Sequence, residues 1–97
     1  MKELEFTLEE GSNKKNDVAV YALSTCGFCK RGINFLKTNS IKFRLLYFDY
    51  LPIEYKTELR LELEKKYETK VYFPFLVIND TSALSGYDEE LWKKKLL

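Results

Sequence analysis

The chain contains no histidine at all. That absence excludes Ser–His and Cys–His nucleophilic pairs and every histidine-bearing zinc site. Cysteine occurs only twice, too few for the disulfide-stapled scaffold of a small secreted domain. A four-cysteine zinc site would need a second chain, and the carboxylates are not spaced for a metal. Long apolar runs are missing too: none approaches the roughly 20 residues that span a bilayer. The opening Met1-Lys2-Glu3-Leu4-Glu5 is mixed in charge and lacks the apolar centre of a secretion signal. A cytoplasmic protein with reduced thiols is therefore expected. Charge of one sign is also lacking, because 16 basic and 15 acidic residues leave a net charge of +1. No nucleic-acid or membrane partner is expected from so balanced a surface.

What is present is apolar and aromatic. Hydrophobic residues make up 45% of the 97, with 7 Tyr and 7 Phe, enough for one compact domain and too little chain for two. The first 16 residues read as an N-terminal extension and residues 17–97 as the domain. Leu4, Phe6 and Leu8 alternate with polar residues, a weak strand signal ahead of the loop composition of residues 11–17. Whether that segment pairs at a sheet edge or stays loose is left open by the sequence.

The only cysteines lie in Thr25-Cys26-Gly27-Phe28-Cys29-Lys30, directly after the apolar stretch Val18–Leu23. A buried strand followed by a helix from Gly27 to about Thr38 is predicted, with Ser24 and Thr25 near its cap. Cys29, Ile33 and Leu36 then share one helix face, which turns Cys29 toward the core. A helix start supplies partial positive charge and free N–H groups, and both favour a thiolate at Cys26. Ile41–Asp49 is strand-like on both faces, as in a central strand covered by helices. Pro52 opens a second helix, where Tyr55, Leu59, Leu63 and Tyr67 recur every four residues and Glu62 and Lys66 stand one turn apart. Phe75–Ile78 and Thr81–Leu84 read as an antiparallel hairpin about the Asn79-Asp80 turn. Ser85-Gly86 makes a tight turn, Asp88 or its neighbour caps a last helix, and Leu91, Trp92 and Leu96 give that helix an apolar face. Tyr47-Phe48-Asp49-Tyr50-Leu51 lies beyond the second strand, where it reads as core aromatics at a strand end, the alternative being a segment that shapes a partner surface.

The order β-α-β-α-β-β-α, with Cys-x-x-Cys at the first strand-to-helix junction, resembles the thioredoxin fold and, in its short form, glutaredoxin. The fold expected is α/β, with a central mixed four-stranded sheet flanked by about three helices and room for one extra N-terminal strand. The resemblance covers roughly Asp17 to Leu97 and rests on three separated features. Cys26-Gly27-Phe28-Cys29 stands at the active-site position. Tyr72-Phe73-Pro74 stands where the family has a Thr-Val-Pro segment with a cis proline. Ser85-Gly86-Tyr87-Asp88 stands where it has a Gly-Gly pair and an acidic residue.

The resemblance implies a thiol–disulfide oxidoreductase. Cys26 and Cys29 are its expected catalytic residues, Cys26 attacking first and Cys29 resolving the mixed disulfide. Thr25, Phe28, Phe73, Pro74, Gly86, Tyr87 and Asp88 are its expected substrate- or glutathione-binding residues, the Phe73 backbone pairing with an extended ligand. No metal and no tightly bound cofactor are expected. Glutathione is a co-substrate in the family, and the expected partners are disulfide-bearing proteins and either glutathione or a thioredoxin-type reductase, with the chain a monomer. Family members with one active-site cysteine hold an iron–sulfur cluster between subunits, and this second reading is disfavoured by the intact pair. Four departures weaken the expected glutathione site. Ala22, Leu23 and Ser24 stand where the family often has a lysine, Ser85 replaces a glycine, Phe73 replaces a small residue, and Gly-Phe replaces Pro-Tyr between the cysteines.

Overall fold

The computed structural model describes residues 4–97. Its elements in chain order are β1 (Thr7–Glu9), β2 (Val18–Ala22), α1 (Gly27–Thr38), β3 (Phe43–Tyr47), a 3-10 turn (Phe48–Tyr50), α2 (Ile53–Tyr67), β4 (Phe75–Ile78), β5 (Ser82–Ser85) and α3 (Glu89–Leu96). The strands form one mixed sheet in the order β1-β3-β2-β4-β5. β2 and β3 are parallel, in register Ala19 to Arg44 and Ala22 to Tyr47. The crossover between them is α1, as a parallel pair requires a long connection. β4 runs antiparallel to β2, and β5 to β4. The question left open at the N-terminus is answered by β1, which pairs antiparallel with β3, Thr7 opposite Leu45.

The alternation of β2 sorts two cores. Val18, Val20 and Ala22 join Cys29, Phe35, Leu36, Trp92 and Leu96 on the face covered by α1 and α3. Ala19 and Tyr21 join Leu59, Leu63, Val71 and Phe75 on the face covered by α2. Both sides of β2 and β4 are thereby buried, which is why these strands read as unbroken apolar runs. Burial of each large apolar side chain contributes about 1.5–3 kcal/mol, and the largest of those fully enclosed is Trp92.

Three local expectations are corrected. The residue that caps α1 is Cys26 rather than Ser24 or Thr25, its sulfur accepting the Cys29 N–H. Lys66 pairs with Asp80 at 2.8 Å instead of Glu62 one turn away, because the β4–β5 turn brings a carboxylate closer than the helix does. On α3, Trp92 and Leu96 are buried but Leu91 remains 38% exposed. The Asp88 carboxylate caps α3 by accepting the Leu91 N–H at 3.1 Å.

Candidate active site

Parallel β2 and β3 both end at one edge of the sheet, and the chain leaving β2 turns there into α1. The turn is closed by the Cys26 N–H donating to the Leu23 carbonyl at 3.3 Å. Cys26 is extended, with φ −95° and ψ 121°, and sits just before the first helical residue. Its sulfur accepts the Cys29 N–H at 3.2 Å, one of the free donors of the first turn. Cys26 is half-buried, whereas Cys29 is 0% exposed, and neither is in a disulfide.

Cys29 sits one turn into α1 and faces the core beside Ala22 and Trp92. Burial, then hydrogen bonding to the Cys26 sulfur, pushes its thiol up to about 12, against a smaller opposing effect of the Leu23 N–H. That N–H donates to Cys29 Sγ at 3.4 Å. The pair thus consists of one reachable sulfur at a helix tip and one enclosed thiol held protonated behind it.

The segment before β4 comes up against the dithiol. The Phe73–Pro74 peptide is cis. The Phe73 carbonyl lies 4.0 Å from Cys26 Sγ. Pro74 is buried, and its carbonyl accepts the Gly86 N–H at 3.0 Å. Gly86 has φ +86°, a conformation that favours glycine. The Gly86 carbonyl in turn accepts from the Trp92 indole at 3.3 Å. Cys26, Cys29, Phe73, Pro74 and Gly86 are in this way joined by a short chain of contacts.

The remaining residues singled out in the sequence lie around this group. Phe28 is 59% exposed, with the Arg31 guanidinium 5.5 Å from its ring centre. Thr25 is exposed and Tyr87 half-buried, its ring edge-on to Trp92 at 4.8 Å. Burial raises the Tyr87 hydroxyl above the usual tyrosine range. Asp88 is engaged with the start of α3. The Phe73 ring packs 5.0 Å from Phe48, with Arg60 over both rings and also donating to the Val71 carbonyl at 3.0 Å. Among the described residues, no three His, Cys, Asp or Glu side chains gather as a metal site.

Gly32 escaped the sequence reading, and Asp49 was read there only as part of the Tyr47–Leu51 segment, without its link to the cysteine loop. Gly32 lies beneath the dithiol, where an added Cβ would come within 2.9 Å of the Trp92 ring and 3.2 Å of Pro74 Cγ. Its spacing of three residues from Cys29 on the same helix was the available signal. Asp49 accepts both the N–H and the hydroxyl of Ser24 in the loop before Cys26. Its position just past a strand parallel to the one carrying the cysteines was the signal there.

A mixed sheet with helices on both faces and a Cys-x-x-Cys at the first β–α junction, against a cis proline, defines a dithiol protein of the thioredoxin fold. The glutaredoxin family model matches residues 18–83, and the chain belongs to the glutaredoxin family of thiol–disulfide oxidoreductases. Among solved structures, the glutaredoxin from Methanosarcina mazei is 28% identical, with a TM-score of 0.79 over 94% of this chain and 86% of that one. The methanoredoxin of Methanosarcina acetivorans is 25% identical, with a TM-score of 0.72 over 86% of each chain. A glutaredoxin from Archaeoglobus fulgidus is 30% identical, with a TM-score of 0.69 over 81% of this chain and 84% of that one. No curated protein matches the chain. No helix among the described residues is long and apolar enough to cross a membrane.

Proposed function

We propose that the protein reduces disulfides of protein substrates by two-cysteine exchange and is reset by a thioredoxin-type reductase in preference to glutathione. The observation that carries the exchange is the unequal placement of two sulfurs three residues apart: Cys26 reachable at the helix tip, Cys29 enclosed. The Cys26 thiolate attacks a disulfide R–S–S–R′. A Cys26–S–S–R bond forms, the substrate S–S bond breaks, and R′–S⁻ leaves and takes a proton. The Cys29 thiolate then attacks Cys26 Sγ, forming the Cys26–Cys29 disulfide and releasing R–S⁻. The substrate gains two electrons and the dithiol loses two.

The order of these steps follows from what holds Cys29 protonated. After burial, the causes include hydrogen bonding to the Cys26 sulfur and the charge of Cys26. Both disappear when Cys26 is bonded to substrate, so Cys29 ionises more readily once its partner has reacted. The carbonyl of Phe73, 4.0 Å from Cys26 Sγ, lies where extended substrate backbone would run. Thr25, Phe28, Pro74, Gly86, Tyr87 and Asp88 form the rest of the proposed substrate contact.

The choice of reductant rests on what the site lacks and what it displays. Ala22, Leu23 and Ser24 put no cation before the dithiol. Phe73 brings an aromatic ring, packed on Phe48, to the segment that would hold a small peptide. Phe28 and Tyr72 are 59% and 62% exposed, the kind of surface a protein reductant covers. In this reading the protein acts as a cytoplasmic monomer.

The test is reduction of insulin and of a glutathionylated peptide, with glutathione plus its reductase or with a thioredoxin reductase as the electron source. Wild type is expected to turn over faster with the thioredoxin reductase. Cys26→Ser abolishes turnover with either, and Cys29→Ser accumulates a covalent substrate adduct on Cys26. Ordinary glutathione-dependent turnover would overturn the choice of reductant. Equal losses without adduct would overturn the roles of the cysteines.

A further inference from the structure

We propose that Asp49 is a positioning residue for the dithiol, acting through Ser24 on the loop that carries Cys26. The proposal rests on the roles given to the two sulfurs above. Asp49 lies in the 3-10 turn that follows β3. One carboxylate oxygen accepts the Ser24 backbone N–H at 3.1 Å, and the other accepts the Ser24 hydroxyl at 2.5 Å. Both oxygens therefore grip one residue of a different segment, 25 positions away.

The grip reaches both sulfurs through the backbone. The Ser24 N–H belongs to the Leu23–Ser24 peptide group, and the carbonyl of that same group accepts the Cys26 N–H at 3.3 Å. One peptide earlier, the Leu23 N–H donates to Cys29 Sγ at 3.4 Å. A carboxylate that fixes the Leu23–Ser24 plane thus sets where the Cys26 backbone is held and where the Leu23 N–H meets Cys29. Among the described residues, the side chains that hydrogen-bond residues 22–25 are those of Asp49 and of Cys29 itself, so apart from the dithiol only Asp49 ties this loop. Bonding to the Ser24 hydroxyl holds the Asp49 carboxyl below the usual carboxylate range, so the acceptor is charged at neutral pH. A charged acceptor makes the stronger hydrogen bond. Exchange between sulfurs depends on placing the attacking atom, and small misplacements of a reacting group are costly in rate.

Three variants test this: Asp49→Ala, Asp49→Asn and Ser24→Ala. Two rates are read on each, the alkylation of Cys26 in the reduced protein and the release of a preformed Cys26 mixed disulfide by Cys29. Asp49→Ala is expected to slow release by about tenfold or more, within the range that mispositioning costs, and to slow alkylation by less. Asp49→Asn retains an oxygen for the Ser24 N–H and an amide for the hydroxyl, and is expected to restore both rates most of the way. Ser24→Ala, which leaves the backbone N–H in place, gives an intermediate loss and carries the test with Asp49→Asn should Asp49→Ala fail to fold. Wild-type release rates in folded Asp49→Ala, or in Ser24→Ala if that variant must stand in, overturn the proposal. So does an Asp49→Asn protein as slow as the most impaired variant. If wild type itself forms no releasable adduct on Cys26, the failure lies with the cysteine roles instead.

Discussion

The two ends of the sheet are held by different means. At the end away from the cysteines, polar side chains rivet the loops together. Asn79 accepts the Asp17 N–H at 2.8 Å, donates its own N–H to the Asp17 carbonyl at 2.7 Å and its side-chain amide to Asn16 at 2.9 Å. Arg44 bonds Asp17 at 3.0 Å and Lys66 bonds Asp80 at 2.8 Å. At the dithiol end side chains hold the loops chiefly through backbone groups. Asp49 accepts from Ser24, and the Ser85 hydroxyl accepts the Tyr72 N–H at 2.7 Å and donates to the Lys70 carbonyl at 2.6 Å. Arg60 and Trp92 donate to the Val71 and Gly86 carbonyls, with no ion pair between segments there among the described residues. Aromatic rings stand open there, Tyr50 at 72% and Tyr72 at 62% exposure. The contrast separates two tasks. One end fixes strand order and register, while the other leaves a sulfur and an apolar rim uncovered for a partner.

This comparison predicts that substitutions at the two ends differ in kind. The largest effect is expected from Gly32→Ala, because its methyl would meet the Trp92 ring at 2.9 and 3.1 Å and Pro74 at 3.2 Å. Overpacking of this sort costs about 1–3 kcal/mol, and displacement of Pro74 carries the disturbance to Cys26. Denaturant unfolding and Cys26 alkylation should both change; an unchanged midpoint would mean the site is looser than its contacts imply. A smaller effect is expected from Asn79→Ala at the other end. It deletes two side-chain hydrogen bonds and places alanine at φ 53°, where asparagine is better tolerated. The expected loss is about 1–2 kcal/mol in unfolding, with Cys26 alkylation in the folded protein unaltered. A change in that reactivity would break the separation between the ends.

Much of this was written in local pattern. α1 spans Gly27–Thr38 and β4 spans Phe75–Ile78, as the sequence predicts, because apolar spacing and a flanking turn or proline mark both. The enclosed position of Cys29 followed from its sharing a helix face with Ile33 and Leu36. The Phe73–Pro74 cis peptide was expected from family resemblance, since nothing local in Tyr72-Phe73-Pro74 demands it. What stayed hidden was long-range. Asp49 and Ser24 meet only because β2 and β3 end side by side, and Lys66 finds Asp80 only when β4 turns into β5. Gly32 became significant once α3 and Pro74 closed over it. The Cys26 cap was missed because oxygen side chains nearby matched the usual capping preference, while the sulfur took the N–H.

The account stands on the difference between two sulfurs, and a timed alkylation of the reduced, folded protein measures it most directly. Iodoacetamide would be pulsed at steps from about pH 7 to about pH 10, across the range where an ordinary thiol near 8.5 ionises, and each cysteine located by peptide mass. Cys29, pushed up to about 12 chiefly by burial, should stay protonated and unlabelled throughout, because a raised value keeps the thiol form as pH climbs past the ordinary range. Cys26, reachable at the helix tip, should be the cysteine that carries the label. Equal labelling of the two, or earlier labelling of Cys29, would contradict the account.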